Sequence, residues 1–241
     1  MSERFYCPDP PRDGRYRLCP DEARHLSRVC RLGPGDRVEL FDGAGFATAA
    51  EVVQAATYRV ELVAIGEPIV GPVPAYSIAL ATAVPKGDRF DWIVEKATEL
   101  GVDRLIPVVF ERSVVVPRGS KLDRLRRTVV EASKQSGRSR LMEIFEPIDW
   151  PDLACGYADH VRLLADPKGR PFARWDGSGA GGRIVLAVGP EGGLTEAEAL
   201  MAAEIGWFPI RLGYNVLRVE TAGLAGCAAL IGRMAGAETE A

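Results

Sequence analysis

Through the first third of the chain, short stretches either alternate apolar with polar residues or run apolar. Residues 37–41, 47–53 and 58–65 follow this rule and predict three β-strands. Asp42-Gly43 predicts a hairpin turn between the first two. One helix is expected over 21–32, where Leu26, Val29 and Cys30 share a face and Gly33 marks the stop. The pattern predicts a small β-barrel. It breaks at 66–74, where three prolines and two glycines in nine residues read as a linker.

After the linker the periodicity alternates between strand and helix. Strands are expected at 76–84, 104–110, 161–165, 184–188 and 210–212. Between them lies a helix capped by Asp88 and stopped by Gly101, with Phe90, Ile93, Ala97 and Leu100 on one side. A second spans 121–136, with Leu122, Leu125, Val129 and Ala132 inward and Arg124, Arg127, Lys134 and Arg138 outward or at its rim. Thr195 with Glu198 forms a capping box for a third, which Gly206 ends. A small-residue helix at 221–234 closes the chain, and its Ala222, Gly223, Ala225, Gly226, Ala228 and Ala229 predict close contact with another helix. Such alternation predicts an α/β fold with a parallel sheet covered on both faces. The domain expectation is 1–72 and 73–241, and no internal repeat is visible.

The 241 residues are 47% hydrophobic and 26% charged, which excludes a disordered or fibrous chain. No apolar run is long enough for a membrane helix, and the opening residues show no charged-then-apolar leader. The five cysteines form no Cys-x-x-Cys pair, and only two histidines accompany them, so no metal site is expected. A cytoplasmic location is the expectation. The net charge of −3 gives no hint of a polyanionic partner. Locally the balance differs: residues 112–140 hold nine basic and two acidic side chains. A solvated helix face is the ordinary source of such a run, but this lopsidedness points equally to RNA or phosphate.

A Gly-x-Gly-x-x-Gly pattern at Gly177, Gly179 and Gly182 precedes a strand instead of following one, so it is not a dinucleotide fingerprint. Gly189-Pro-Glu-Gly-Gly193 sits where open α/β sheets bind ligands, after a buried strand and before a capped helix. Glu191 there disfavours a phosphate and suits a positive or neutral group. Further on, Leu212-Gly-Tyr-Asn-Val-Leu-Arg-Val-Glu-Thr-Ala222 brings Arg218, Glu220 and Thr221 to the start of the last helix, with Thr221 expected to cap it. Taken alone, Arg218 and Glu220 fit a structural ion pair as well as a working site.

Together, Gly-Pro-Glu-Gly-Gly and the Leu-Gly…Leu-Arg-x-Glu-Thr-Ala run resemble the RsmE family, SPOUT-class methyltransferases of small-subunit ribosomal RNA. Similar motifs extend over nearly the whole chain: Arg4-Phe5, His25-Leu26 with Val29 and Arg31, Gly35-Asp36, Lys86-Gly87, Lys96, 99–102, Arg112-Ser113, and Glu131 with 135–138. Lys134, where an acidic residue is common, Met142, where proline is expected, and Cys30, in place of leucine, depart from the pattern.

The resemblance implies a PUA-like RNA-binding barrel ahead of a SPOUT-type α/β domain with a trefoil knot, and an active site made across a homodimer. It implies S-adenosylmethionine held by Gly189, Pro190, Glu191, Gly192 and Gly193, by Leu212 and Gly213, and by Leu217, Arg218, Glu220, Thr221 and Ala222, with Leu163 or Leu164 lining the pocket. The implied product is N3-methyluridine in 16S ribosomal RNA, within the 30S subunit. Arg138 and Arg218 are the catalytic candidates. Arg4, Arg31, Lys86, Arg112, Arg124, Arg127, Gln135 and Arg138 are the RNA-contact candidates. Two other readings are a knotted transfer-RNA methyltransferase acting on a ribose hydroxyl and a non-catalytic assembly factor that binds RNA. Nucleoside mass spectrometry and a cofactor-binding measurement separate them.

Overall fold

In a computed structural model of the protein, residues 3–175, 177 and 182–238 are described, with side chains through 235. The chain divides into two units, Met1–Val73 with Val130–Leu141, and Pro74–Val129 with Met142–Ala241.

In the first unit, β1 (Arg4–Tyr6), β3 (Arg37–Phe41), β4 (Phe46–Ala56), β5 (Arg59–Ala64) and β2 (Arg15–Arg17) lie side by side in that order, and β6 (Ile69–Val70) pairs with the start of β4. Alternate residues of these strands (Val38, Leu40, Ala50, Val52, Val60, Leu62) meet Phe5, Leu18 and Leu26 in one apolar cluster. The expected hairpin forms: Asp42 Oδ1 accepts from the amides of Ala44, Gly45 and Phe46 at 2.7–3.1 Å. The linker does place two residues in a strand, at a position paired only with β4.

The expected helix over 21–32 is shorter and changes pitch. An α-helical turn, α1 (Pro20–Arg24), passes into a π-helical turn, His25–Val29. The wider turn rotates Val29 away from Leu26, so Leu26 is buried while Val29 is 71% exposed. Arg31, not Gly33, takes the positive φ that ends the segment.

In the second unit, seven parallel strands run in the order β10 (Ile148–Asp149), β8 (Arg104–Val109), β7 (Ser77–Ala83), β12 (Arg183–Val188), β11 (Val161–Pro171) and β13 (Phe208–Arg211), with β9 (Glu143–Ile144) also on β8. The strands are apolar on both sides, as a doubly covered parallel sheet requires. On one face Ala79, Ala81, Ala83, Val185 and Ala187 pack with Trp150 and Leu153 of α4 (Trp150–Cys155) and Ala202 of α5 (Glu196–Glu204). Trp150 stacks on Phe110 at 5.1 Å and leans on Trp207 at 5.2 Å. On the other face lie α2 (Arg89–Leu100), which Gly101 ends with a left-handed residue, and α6 (Val219–Glu238).

Gly223 and Gly226 of α6 face the unit's own sheet. A Cβ at Gly226 would collide with Leu186, and one at Gly223 would touch Leu80 at 3.4 Å. Those glycines therefore serve a helix-on-sheet contact, and Ala225 and Ala228 stay exposed. The helix also starts earlier than expected, so Thr221 lies inside its first turn instead of capping it. Asp88 precedes α2 but makes no side-chain cap bond. The helix α3 (Ser120–Ser136) buries Leu122, Leu125, Val129 and Ala132 as its spacing predicts. Of the glycine-rich stretch, 178–181 lies outside the described residues.

Candidate functional site

Because the strands are parallel, the segments leaving β7, β8, β12 and β13 all depart from one edge of the sheet, where open α/β folds bind ligands. The 189–193 segment is a tight turn: the Gly193 amide donates to Pro190 O at 2.8 Å, and Gly193 sits at φ +70°. Any side chain there would strain the backbone. Arg112, from the segment after β8, donates to Gly192 O at 2.7 Å. The capping box forms, and its Glu198 does more than cap. One carboxylate oxygen accepts from the Thr195 amide and the other from the Glu111 amide, each at 2.8 Å, so it joins the segments after β8 and β12.

Arg89, first residue of α2, joins two further segments. Its guanidinium lies 3.2 Å from Glu191 Oε1 and 3.6 Å from Glu220 Oε2. Glu191 is therefore neutralised by a cation that was not among the sequence candidates. Glu220 occupies the first turn of α6, where a carboxylate favours the helix dipole. Its side chain is only 9% exposed, and Oε2 has no hydrogen-bond donor. A buried acceptor in that state costs about 1–3 kcal/mol until a donor arrives, so it suits a ligand hydroxyl or cation.

The structure thus brings Glu191 and Glu220 to one cation and places the 189–193 and 212–218 segments at the same sheet edge. Leu212 lies against Gly226, within 3.4 Å of where its Cβ would stand. Leu217 is half-buried, and Arg218 is exposed with no acidic partner among the described residues. Leu164 is 4% exposed in the cluster with Trp150 and Trp207.

The basic candidates separate by what they touch. Arg4 is committed to the first unit: Glu39 holds Nε at 2.5 Å, Ser133 O and Arg138 O accept from Nη1, Ser139 Oγ accepts from Nη2, and the side chain is 10% exposed. Four of its five N–H donors are thereby engaged within that unit. Lys134, expected at the outside or rim, is 9% exposed and bridges Glu22 at 2.5 Å and Glu131 at 2.9 Å. Burial pulls the Lys134 amine down, but its hydrogen bonds to the two carboxylates more than reverse this, and the amine titrates above the ordinary lysine value. Burial pushes the Glu22 carboxyl up despite the lysine.

Lys121 and Arg124 share Asp91, and Arg126 takes Asp123 and Glu146. Arg31, Lys86, Arg118 and Arg127 are exposed without an acidic partner among the described residues, and Gln135 is exposed as well. Arg138, in the first unit, is half-buried with Nε donating to Arg140 O, whereas Arg218 belongs to the second unit.

The fold defines an α/β protein whose parallel sheet gathers the glycine-bearing segments at one edge, with an additional β-rich unit. The RNA methyltransferase domain family matches residues 72–231, and the RNA methyltransferase PUA domain family matches 18–64. Among curated proteins, ribosomal RNA small subunit methyltransferase E of Synechocystis is 33% identical over 207 residues, spanning 83% of this chain and 67% of the relative. The Bacillus subtilis protein of the same name is 28% identical, spanning 87% of this chain and 86% of its own. Among solved structures, methyltransferase E of Neisseria gonorrhoeae bound to S-adenosyl methionine is 32% identical with a TM-score of 0.88, covering 97% of this chain and 98% of that one. A probable rRNA methyltransferase from Porphyromonas gingivalis is 31% identical with a TM-score of 0.86, covering 97% and 99%. The chain belongs to the RsmE family of RNA methyltransferases.

Proposed function

We propose that this protein is an S-adenosylmethionine-dependent methyltransferase that modifies N3 of a uridine in 16S ribosomal RNA, acting as a cytoplasmic homodimer on the 30S subunit. The observation that carries the reading is Arg89 joining Glu191 and Glu220 beside a buried carboxylate oxygen that lacks a donor. The relative solved with S-adenosyl methionine supports the identity of the ligand. The residues fit such a group. Gly189, Pro190, Glu191, Gly192 and Gly193 offer backbone at close range, Leu212, Gly213 and Leu217 an apolar wall, and Glu220, Thr221 and Ala222 the start of a helix.

When bound, the cofactor supplies a methyl group already activated on a sulfonium. The protein's part is alignment, which contributes up to about 7–11 kcal/mol of barrier reduction, and help in removing the uracil N3 proton. Neither histidine serves that role here: His25 lies edge-on to Phe5 in the first unit, and His160 is held by Asp159. Arg218, exposed and without a counter-charge among the described residues, suits stabilisation of the uracil anion, with Arg138 the second candidate. Arg31, Lys86, Arg127 and Gln135, exposed on the two units, are the proposed RNA contacts, with Arg112 and Arg124 as secondary ones because each already holds a protein group.

The test is incubation with radiolabelled methyl donor and 30S subunits from a strain lacking the gene, followed by nucleoside mass spectrometry. Labelled 3-methyluridine in 16S RNA is the expected product. Label on a ribose hydroxyl, or none, removes the assignment.

A further inference from the structure

Toward the other end of β11 and β13 the structure has a concave feature, with Arg162 and Phe208 near the strand starts and Arg170 paired with Ile210 farther along. A cavity of about 410 Å³ opens between the first residues of β11 and β13 and the stretch that follows β11. Arg162, Arg170 and Arg174 line it together with His160, Trp175 and Phe208. None of the three arginines has an acidic partner among the described residues. The nearby carboxylate of Asp159 is already engaged, at 2.7 Å by His160 and at 2.6 Å by Arg183.

The aromatic side chains hold guanidinium groups without consuming their donors. Arg170 lies 5.6 Å from the centre of the Phe208 ring, and Arg233 lies 5.7 Å from that of Trp175. A face contact of this kind fixes the plane of the fork and leaves its N–H groups free for an oxyanion. Trp175 itself is 6% exposed, so it supports Arg233 and offers no stacking surface for a base. A concave wall of one sign, with no counter-charge paired to its arginines among the described residues, concentrates anions. The volume exceeds that of an isolated phosphate and suits a phosphate with its sugar.

We propose that this cavity grips the phosphodiester backbone of the RNA substrate, anchoring the RNA at a point remote from methyl transfer. The proposal rests on the RNA-methyltransferase reading above and adds a contact site to it. Phosphate positioning of this kind carries affinity and register but no sequence information.

The experiment measures RNA affinity against salt for the wild type and for R162S/R170S/R174S, using a 16S RNA fragment, with calorimetric S-adenosylmethionine binding in parallel. The triple variant is expected to lose roughly tenfold to a hundredfold in RNA affinity and to lower the salt slope by about 2, with cofactor affinity unchanged. Because loss of Arg170 uncovers Phe208, R174S provides a milder arm, with an expected slope change of about 0.7–0.9. R170K should recover most of the slope. An unchanged slope in both the triple variant and R174S overturns the proposal. So does calorimetric binding of uridine 5′-monophosphate to the cavity that leaves RNA affinity untouched, which would assign the site to a free nucleotide. If the wild type bound no RNA at all, the enzyme reading would fail first, a result distinct from either.

Discussion

Two basic regions of this molecule differ in an instructive way. Residues 112–140 are dense in positive charge along the sequence, yet Lys121, Arg124, Arg126 and Lys134 are each held by carboxylates, and Arg112 by a backbone carbonyl. Arg162, Arg170 and Arg174, which line the cavity beside β11 and β13, carry no such partners among the described residues. Charge density along a sequence counts side chains. A polyanion responds to the charge left over after folding. Acids remote in sequence, Glu22, Asp91 and Glu146, decide that remainder in the first region.

The largest test of this distinction is Lys134→Met. It strands Glu22 in a buried site and should cost about 3–5 kcal/mol in urea unfolding, with the salt slope of RNA binding unchanged. Lys134→Met with Glu22→Gln should recover much of the loss. A stable Lys134→Met protein with weakened RNA binding would break the comparison. Next in size is Arg89→Met, which leaves the Glu220 carboxylate without its cation. We expect a stability loss of about 1–3 kcal/mol and roughly tenfold weaker S-adenosylmethionine binding by calorimetry.

A third test sets R127S against K121S. The first should lower the salt slope by about 0.7–0.9 and barely move the melting temperature, whereas the second should leave the slope nearly intact. Acid unfolding probes another paired group. Glu61 receives Arg59, Arg15 and Arg17, and the Arg59 hydrogen bond leads in holding its carboxyl below the usual glutamate range. Its stabilisation is therefore present above the ordinary glutamate pKa and lost as pH falls through the lower, folded value. Glu61→Gln should flatten the acid limb of a stability–pH curve. The smallest effect is in thiol labelling. Burial pushes Cys7 to about 11 and Cys227 to about 12, so exposed Cys19 and Cys155 should label in the native protein and those two only on unfolding.

Features set by local spacing were legible in the sequence. The parallel-sheet strands, the inward face of α3 and the Thr195–Glu198 capping box depend on residues within a few positions of one another, and each forms. The hairpin at Asp42 does too. What escaped depends on remote partners. The short strands β1 and β2 exist through pairing with β3 and β5, not through their own pattern. The π-helical turn leaves no periodicity that differs from an α-helix over so few residues. The inward turn of Lys134 needs Glu22, more than a hundred positions away.

The candidate site divides in the same manner. The glycine-bearing segments were visible as motifs, but Arg89, which joins Glu191 to Glu220, was not. It resembles any charged residue at the start of a helix, and its partners lie far along the chain. An apolar strand end offers no sign of which face it presents, and Leu164 stands in the core cluster with Trp150 and Trp207.

The absent side chain at Gly226 reaches further than packing. It lets α6 settle directly on Leu186, and Glu220 stands six residues earlier on the same rod, about 9 Å along its axis. A methyl group added there would meet the end of the Leu186 side chain, so either Leu186 turns aside or the rod shifts, and a shifted rod would move the carboxylate relative to Arg89. The height at which one end rests on the sheet therefore calibrates the other, and a change at Gly226 should register in the Arg89–Glu220 contact.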